Sequence, residues 1–434
     1  MKTTPWIKLC KGAVLALTVS FGLTYCQSTK STFTLEQKGD SLTIVHITHP
    51  TNYILLPIEE EADESQVRLD TGNAADTDMD IRLAQTKVDY FVPFALPADT
   101  KVATLRIQKK SKDALCWEEI KLSDTFDTTN TDKFRPVYHH TPLYGWMNDA
   151  NGLVYKDGEY HLYYQYNPYG SKWGNMHWGH AVSKDLLHWV HQPVAAYPQI
   201  ELNGCEGEYR GGAFSGSAVI EKDVMHLFYT RHFGKTDRSW QRQWQVTKQS
   251  KDGVHFTHEE CAVWGTPEGV TWHFRDPKVV QIEDKWNMII AGSCYDRPAV
   301  FRYESDDLKS WKYAGILYGE TDPQYGIAEC PDFFYLDGTW VLIVSYIYAD
   351  GRKDGRDVVW YTGTYKDGKF DPENKGLLDE GKDYYAPQSF EVEGERISAG
   401  WNCHRLGQHI AQPGSANGSL SLPRKLAVKN GKLY

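Results

Sequence analysis

A strand–turn–strand unit recurs five times in the second two-thirds of the chain, and this repeat restricts the fold more than any other feature. Each unit opens on a short motif, continues through an apolar run, turns at a polar segment and ends in a run rich in aromatic residues. The five motifs begin at or near Asn148, Phe214, Arg275, Glu329 and Tyr385. Because no long helical pattern interrupts them, repeats of this kind are typical of a β-propeller.

A second pattern, S-x-D-x-x-x-aromatic, lies between these units. It occurs at Ser183–Trp189, Ser250–Phe256 and Ser305–Trp311. We interpret it as the hairpin that joins the outer two strands of each unit. Five units of four strands over residues 135–428 therefore predict an all-β fold with a five-bladed β-propeller. The first strand of each blade lines the central channel, so residues that open these strands are expected to meet at one mouth of it.

Three of the opening motifs carry an acid at what we take to be corresponding positions. Asp149 lies in the run W-M-N-D-A-N-G, Asp276 in F-R-D-P and Glu329 in A-E-C-P. Hydrolysis of a glycosidic bond commonly uses two carboxyl groups, and a third anion can favour a positively charged transition state. An isolated Asp-Pro or Asn-Asp pair is more often turn chemistry, so a propeller without catalysis remains the alternative at this point.

The neighbours of each acid predict its charge. The amide of Asn148 and the backbone beside it should keep Asp149 ionised, as a nucleophile requires. Glu329 lies between apolar residues, which suits a proton donor. Arg275 precedes Asp276 and should keep that carboxyl ionised.

At these motifs the chain resembles glycoside hydrolase family 32, the invertases, inulinases and levanases, whose motifs read W-M-N-D-P-N-G, R-D-P and E-C-P. The likeness covers about residues 135–428. It implies a five-bladed propeller, retaining hydrolysis of β-fructofuranosides, and no metal or organic cofactor. By matching position, it implies that Asp149 is the nucleophile, Asp276 the transition-state stabiliser and Glu329 the acid/base.

The same resemblance implies sugar contacts at further positions, for each of which packing or turn hydrogen bonding is the alternative. These substrate-binding candidates are Trp146, Asn148, Gln165, Trp173, Phe214, Ser215, Arg275 and Trp401.

Two features depart from the pattern of that family. Ala150 stands where the first motif usually has proline. The family also carries a β-sandwich after the propeller, whereas this sequence stops at Tyr434. The C-terminal sandwich is therefore expected to be missing, with residues 429–434 as the start of a truncated segment.

The N-terminal 26 residues have the pattern of an export signal. Lys2, Lys8 and Lys11 precede an apolar run that ends near Tyr25, which is too short for a membrane span. Cys26 follows in a sequence similar to a bacterial lipobox. The chain is thus expected to be exported, as a cell-surface or periplasmic lipoprotein anchored to the membrane through Cys26, or as a secreted protein.

A small β-rich module precedes the propeller. Residues 27–40 are polar and predicted to be a tether, whereas 41–125 alternate between apolar and polar residues as strands do. The module is expected to be β-sandwich-like, and it resembles the extra β-domain found before such enzymes in gut Bacteroidetes.

Composition restricts the partners. The net charge of −10 argues against a nucleic-acid partner, because phosphate binding needs a basic surface. The eight cysteines are widely spaced without a C-x-x-C pair, which argues against a zinc site and leaves any disulfide pairing open. The protein is expected to be a monomer with no metal.

The function expected from sequence is an exo-acting β-fructosidase that releases fructose from levan, inulin or sucrose. A polymer is favoured over sucrose because an export signal and an accessory domain suit a polymeric substrate. Two alternatives remain open: an inactive fructan-binding lipoprotein, and a fructosyltransferase that passes the fructosyl group to a sugar rather than to water.

Overall fold

The computed structural model describes residues 31–71, 78–96, 100–129, 135–198, 209–235, 241–352, 355–381, 383–403 and 416–434. Over these ranges the regular structure is β-strand apart from one four-residue helix, α1 (Cys116–Glu119). In the same ranges no helix has the length and apolar character needed to cross a membrane. The predicted all-β class is therefore confirmed, and the predicted signal with Cys26 lies outside the described residues.

The N-terminal module is a sandwich of two antiparallel sheets. One sheet has the order β1-β2-β7-β4-β5 and the other β6-β3-β8. The strands are β1 (Thr32–Lys38), β2 (Leu42–Thr48), β3 (Tyr53–Ile58), β4 (Ser65–Asp70), β5 (Asp78–Ile81), β6 (Tyr90–Ala95), β7 (Val102–Gln108) and β8 (Lys121–Ser123). Ala103, Leu105 and Ile107 alternate along β7 and are fully buried between the sheets, as the period of a half-buried strand requires.

Strand β1 corrects the predicted tether at 27–40. Its residues pair in register with β2, from Thr32 opposite Thr48 to Lys38 opposite Leu42. Most of its side chains are exposed, and Phe33 is the one that packs against the core of the module. A polar edge strand of this kind resists pairing with other chains, and its composition does not differ from that of a linker. Residues 27–30 lie outside the described residues.

Five sheets follow, and the four strands of each of the first four blades pair antiparallel in sequence order. The first four blades are β9 (Gly145–Lys156), β10 (Glu159–Asn167), β11 (His177–Ser183) and β12 (Trp189–Ala196); β13 (Tyr209–Glu221), β14 (Val224–Lys235), β15 (Gln241–Ser250) and β16 (Glu260–Val263); β17 (Val270–Ile282), β18 (Lys285–Cys294), β19 (Arg297–Ser305) and β20 (Lys312–Gly319); and β21 (Tyr325–Leu336), β22 (Thr339–Tyr348), β23 (Arg356–Lys366) and β24 (Lys369–Leu377).

In the described residues, the fifth blade contains β25 (Tyr384–Val392) and β26 (Glu395–Asn402). Two short strands, β28 (Ser419–Leu420) and β29 (Arg424–Lys425), both pair with β26. Residues 404–415 lie outside the described residues, so the predicted four strands of this blade stay a prediction. Strand β27 (Ala416–Asn417) runs parallel to the first residues of β9. The innermost strand β25 packs against β9, so the fifth blade meets the first and the ring closes.

The last residues form a hairpin, β30 (Val428–Lys429) and β31 (Lys432–Leu433), against the fourth blade. Thr362 donates from Oγ1 to the carbonyl oxygen of Gly431 at 2.5 Å, and Leu433 is buried. Residues 429–434, predicted to begin a further segment, thus pack on the propeller.

The S-x-D-x-x-x-aromatic pattern joins the third and fourth strands of a blade, as predicted. In the first blade, Asp185 Oδ1 accepts hydrogen bonds from the backbone N–H groups of Leu187 and His188 at 2.9 and 2.8 Å. Such a carboxylate replaces the missing backbone partners of a tight turn, which explains why the motif recurs.

An irregularity in the innermost strands positions the site. The pairing register shifts between Arg275 and Lys278, between Glu329 and Asp332, and between Tyr385 and Gln388. In all three the residue before the proline has positive φ: Asp276 at 64°, Cys330 at 46° and Ala386 at 47°. These β-bulges show that Glu329 corresponds to Arg275 and not to Asp276, so the predicted equivalence of the acids is wrong by one residue.

Candidate active site

The three acids meet around the thiol of Cys330. Cys330 Sγ lies 3.5 Å from Asp149 Oδ2 and 3.5 Å from Asp276 Oδ2, so these two oxygens are at most 7 Å apart. Glu329 precedes Cys330 on β21. The residues come from the first, third and fourth blades, and the structure brings them together as the propeller topology predicts.

Asp149 is held from both sides of its carboxylate. Ser215 Oγ donates to Oδ2 at 2.7 Å, and Asn148 Nδ2 donates to Oδ1 at 3.1 Å. Asn148 is itself oriented by Trp146, whose indole nitrogen donates to its Oδ1 at 2.9 Å. Four predicted site residues therefore form one hydrogen-bonded chain that fixes the direction of the Asp149 oxygens.

Glu329 has a charged partner and a phenol partner. Arg275 Nη2 donates to Oε1 at 2.8 Å, and Tyr385 OH donates to Oε2 at 2.6 Å. Arg275 Nε lies 3.9 Å from Asp276 Oδ2, which is too far for a hydrogen bond. The guanidinium therefore pairs with Glu329 in the next blade rather than with its neighbour in sequence.

Asp276 is buried on the bulge of β17. Its Oδ2 accepts a hydrogen bond from the backbone N–H of Cys330 at 2.9 Å. Its own N–H donates to Thr230 Oγ1 at 2.9 Å, and Thr230 donates to Gln245 Oε1 at 2.7 Å. Hydrogen bonds from the second blade thus stabilise a backbone conformation that is uncommon for a residue other than glycine.

The pKa shifts of the three acids differ from those expected from the sequence. Burial raises the pKa of Asp149, and the charge of Glu329 raises it further against the hydrogen bonds of Ser215 and Asn148. Burial raises the pKa of Asp276 to about 7, against the opposing effect of Arg275. Burial also tends to raise the pKa of Glu329, but the charge of Arg275 and the hydrogen bond from Tyr385 outweigh burial, and the pKa is lowered.

The direction of each pKa shift is thus opposite to the one expected from the sequence, because three buried carboxyls share one site and Arg275 donates its hydrogen bond to Glu329 rather than to Asp276. Such interacting acids titrate as a group rather than singly.

The predicted aromatic contacts lie in two groups around these acids. Trp146 and Trp401 meet edge to face, with ring centroids 5.7 Å apart. In the second group, Trp173 meets Phe214 edge to face, with ring centroids 5.9 Å apart. Trp173 is 58% exposed and Trp401 is buried, so Trp173 is the ring free to stack on a sugar.

Gln165 is placed as a connector between blades. Its Nε2 donates to the carbonyl oxygen of Ala213 at 2.9 Å, next to Phe214. The side chain is 2% exposed. The structure therefore puts Gln165 close to the predicted site residues, with its amide nitrogen committed to the second blade.

Two residues of the site were missed from sequence. Tyr385 binds Glu329, and Cys330 contacts both aspartates. The signal for Tyr385 was present, since Y-A-P in the fifth unit has the same form as R-D-P and E-C-P. Tyr385 carries no carboxyl group, so it does not stand out beside the three acids.

Comparison with known proteins agrees with this geometry. Residues 139–434 match the model of the glycosyl hydrolases family 32 N-terminal domain. The chain belongs to glycosyl hydrolase family 32. The predicted resemblance is therefore confirmed, and the match covers all three acids. Residues 39–138 match a domain of unknown function (DUF4980).

Curated relatives of this family 32 chain are hydrolases of sugars. A sucrose-6-phosphate hydrolase of Zymomonas mobilis is 37% identical over 322 residues, which cover 70% of this chain and 62% of the relative. A levanase of Bacillus subtilis is 35% identical over 71% of this chain and 47% of its own length. The chain thus spans less than two thirds of the length of these relatives.

Solved structures of family 32 share the fold. A β-fructofuranosidase of Bombyx mori has a TM-score of 0.62 and 32% identity over 69% of this chain and 64% of that one. A family 32 hydrolase of Bifidobacterium adolescentis has a TM-score of 0.65 and 28% identity, and it covers 94% of this chain and 76% of that one. A coverage of 94% includes part of the N-terminal module as well as the propeller.

Proposed function

We propose that this protein is a glycosidase that cleaves terminal β-D-fructofuranosyl residues with retention of configuration. The observation that carries the proposal is the convergence of Asp149, Asp276 and Glu329 around Cys330. Support comes from the family and from relatives named sucrose-6-phosphate hydrolase, levanase and raffinose invertase. We assign Asp149 as nucleophile, Glu329 as acid/base and Asp276 as the anion that stabilises the transition state.

In the first step, an Asp149 oxygen attacks the anomeric carbon and the bond from that carbon to the leaving oxygen breaks. Ser215 and Asn148 hold the Asp149 carboxylate through both oxygens, which fixes the line of attack. Glu329 gives a proton to the leaving oxygen, so the alcohol departs neutral and a fructosyl ester remains on Asp149.

The proton that Glu329 gives to the leaving oxygen is shared among Asp149, Asp276 and Glu329 before substrate binds. Since the pKa of Asp276 is raised to about 7, the free site holds a shared proton in mildly acidic solution. Sugar hydroxyls that donate to Asp149 and Asp276 favour the charged form of both. The proton then moves to Glu329, whose pKa rises because two anions and a water-excluding sugar surround it.

In the second step, Glu329 acts as base. It takes a proton from a water molecule whose oxygen attacks the anomeric carbon, and the bond to Asp149 breaks. Asp276, buried beside Cys330, offers a fixed negative charge while the sugar carries positive charge. Two displacements at one carbon restore the original configuration.

We propose levan or inulin rather than sucrose as the main substrate, and export of the chain with an anchor at Cys26. The basic and apolar pattern of residues 1–26 and the additional N-terminal module support this. The chain is proposed to act as a monomer. Labelling of the expressed chain with a radioactive fatty acid tests the anchor, and Cys26→Ser should abolish the label.

The test of function is a product profile on levan, inulin and sucrose, each with the unchanged chain, Asp149→Ala and Glu329→Gln. Fructose release by the unchanged chain should fall by at least about a thousandfold in both variants. Asp371 on β24 is exposed. Asp371→Asn is therefore the control, and it should release fructose at the rate of the unchanged chain. Carbon-13 NMR of the first product at low temperature should show the β-furanose form.

Each outcome of the product profile tests one part of the proposed function. Near-normal release from either active-site variant removes the assigned chemistry, and a first product in the α form removes the retaining mechanism. Transfer products at high sucrose would show a fructosyltransferase. Binding of levan with no release of sugar would show the inactive binding protein.

A further inference from the structure

The N-terminal module contacts the segment that forms one wall of the proposed active site. We call residues 168–176, which connect β10 to β11 in the first blade, the bracing loop. It carries Trp173, whose exposed ring meets Phe214.

The first set of contacts comes from Glu60 and Tyr90 of the module. Ser171 Oγ donates to Glu60 Oε1 at 2.5 Å, and the backbone N–H of Ser171 donates to Tyr90 OH at 3.1 Å. Tyr90 OH in turn donates to Glu60 Oε1. Lys172 Nζ donates to the carbonyl oxygen of Glu60 at 2.9 Å. The two residues directly before Trp173 are thus fixed by the module.

The second set involves Asp80 on β5. Its backbone N–H donates to Asn175 Oδ1 at 2.9 Å, and Asn175 Nδ2 donates to its carbonyl oxygen at 2.8 Å. This pair reproduces the two hydrogen bonds of a strand partner. The carboxylate of Asp80 accepts from Arg210 Nε at 3.0 and 3.1 Å. Asp80 therefore holds both the bracing loop and the start of β13.

An apolar contact completes the interface. Phe94 of the module and Tyr169 of the bracing loop stack with centroids 4.9 Å apart and an interplanar angle of 16°. Tyr169 packs against the core of the module, and its ring also meets His177 of β11 edge to face at 5.7 Å. The loop is therefore anchored before and after Trp173, at Tyr169, Ser171 and Asn175.

A continuous line of contacts runs from this loop to the nucleophile. Trp173 meets Phe214 edge to face, and Phe214 stacks on His232 with centroids 4.4 Å apart. The next residue, Ser215, donates to Asp149. The rings of Trp173 and Phe214 thus lie directly beside the serine that orients the nucleophile.

We propose that the N-terminal module is a positioning element of the active site, which holds the bracing loop so that Trp173 and Phe214 form the sugar-binding wall. This rests on the proposed function for its effect on catalysis, but not for its effect on the loop. Glu60, Tyr90 and Asp80 are the positioning residues. The module thereby lowers the cost of ordering the loop when sugar binds.

Adjacent residues of the module provide a matched test. Glu59 and Glu60 are both buried glutamates, with 9% and 8% exposure. Glu59 accepts hydrogen bonds from the backbone N–H groups of Gln85 and Thr86, inside the module, whereas Glu60 faces the bracing loop. We would compare a chain that carries both Glu60→Gln and Tyr90→Phe with a chain that carries only Glu59→Gln. Neither variant changes a propeller residue.

Hydrogen exchange of the bracing loop is the direct measurement. In the Glu60→Gln/Tyr90→Phe chain, exchange over 168–176 should be about tenfold faster, because hydrogen bonds that close the loop are weakened. KM for fructan should rise about five- to tenfold with kcat within about twofold. Glu59→Gln should lower the Tm of the module and leave the loop exchange and KM unchanged.

The outcomes separate this proposal from the proposed function. Unchanged loop exchange and unchanged KM in the double variant overturn the positioning role, as does an equal rise of KM in both variants. If the unchanged chain releases no fructose, the proposed function fails while loop exchange still decides whether the module holds the loop. If the double variant does not fold, Ser171→Ala removes one of the same hydrogen bonds from the propeller side and should give a smaller shift of the same sign.

Discussion

Replacement of Asp276 by asparagine should stabilise the protein while it removes activity. Asp276 is 3% exposed, and burial raises its pKa to about 7, with Glu329 and Asp149 adding to the rise and Arg275 opposing it. Asparagine has nearly the same shape and keeps an oxygen that can accept from the N–H of Cys330. The change therefore removes a charge that the fold does not favour and retains the main hydrogen bond.

The size of the effect follows from the difference between the folded and unfolded pKa. The unfolded value is 3.8 and the folded value about 7. Between these values the folded chain binds a proton that the unfolded chain has lost. Stability therefore falls as pH rises through this window and levels off above 7. At about 1.4 kcal/mol per pKa unit, the loss between pH 4.5 and pH 8 is about 3 kcal/mol.

Scanning calorimetry at pH 4.5 and pH 8 measures this effect. The Tm of Asp276→Asn minus the Tm of the unchanged chain should be roughly 6 °C larger at pH 8 than at pH 4.5 for a domain of this size. Asp371→Asn removes an exposed carboxyl and should show no such rise. If the Tm difference between Asp276→Asn and the unchanged chain is the same at both pH values, Asp276 does not hold its proton through this window and the reasoning is refuted.

Three further variants test the roles of the site residues. Asp149→Asn should lower fructose release at least about a thousandfold, with no loss of Tm at pH 7, because burial already raises the pKa of that carboxyl; a loss of both would indicate a structural role. Tyr385→Phe removes a hydrogen bond that lowers the pKa of Glu329, so the basic limb of kcat/KM against pH should move upward, and an unmoved limb would contradict this assignment. Ser215→Ala removes a hydrogen bond that lowers the pKa of Asp149. The acidic limb of kcat/KM against pH should therefore move to higher pH, with kcat about tenfold lower. A shift of the basic limb alone would contradict the role of Ser215 at Asp149.

The propeller could be predicted from the sequence because each blade repeats its own local chemistry. Turn residues such as Lys156 to Glu159 and carboxylates such as Asp185 mark strand ends without reference to the rest of the chain. Five copies of one pattern then allow few topologies. The meeting of Asp149, Asp276 and Glu329 follows from that topology, and it required no knowledge of side-chain directions.

The charges of the acids could not be predicted in the same way. Sequence adjacency indicated that Arg275 would hold Asp276, but Arg275 Nη2 lies 2.8 Å from Glu329 while its Nε is 3.9 Å from Asp276. A pKa depends on burial and on partners from other blades, and Tyr385 is such a partner. Strand β1 was missed for a different reason, since a polar edge strand and a tether have the same composition.

The β-bulges explain why consecutive residues can serve one site. In a regular strand, neighbouring side chains point to opposite faces of the sheet. Here Arg275 reaches Glu329 while Asp276, the next residue, reaches Cys330, and this requires the extra residue and the positive φ of the bulge. The same bulge in the fourth blade lets Glu329 bind Arg275 while Cys330 contacts both aspartates. The positive φ of Asp276 and Cys330 therefore places two consecutive functional groups in the channel from each of two strands.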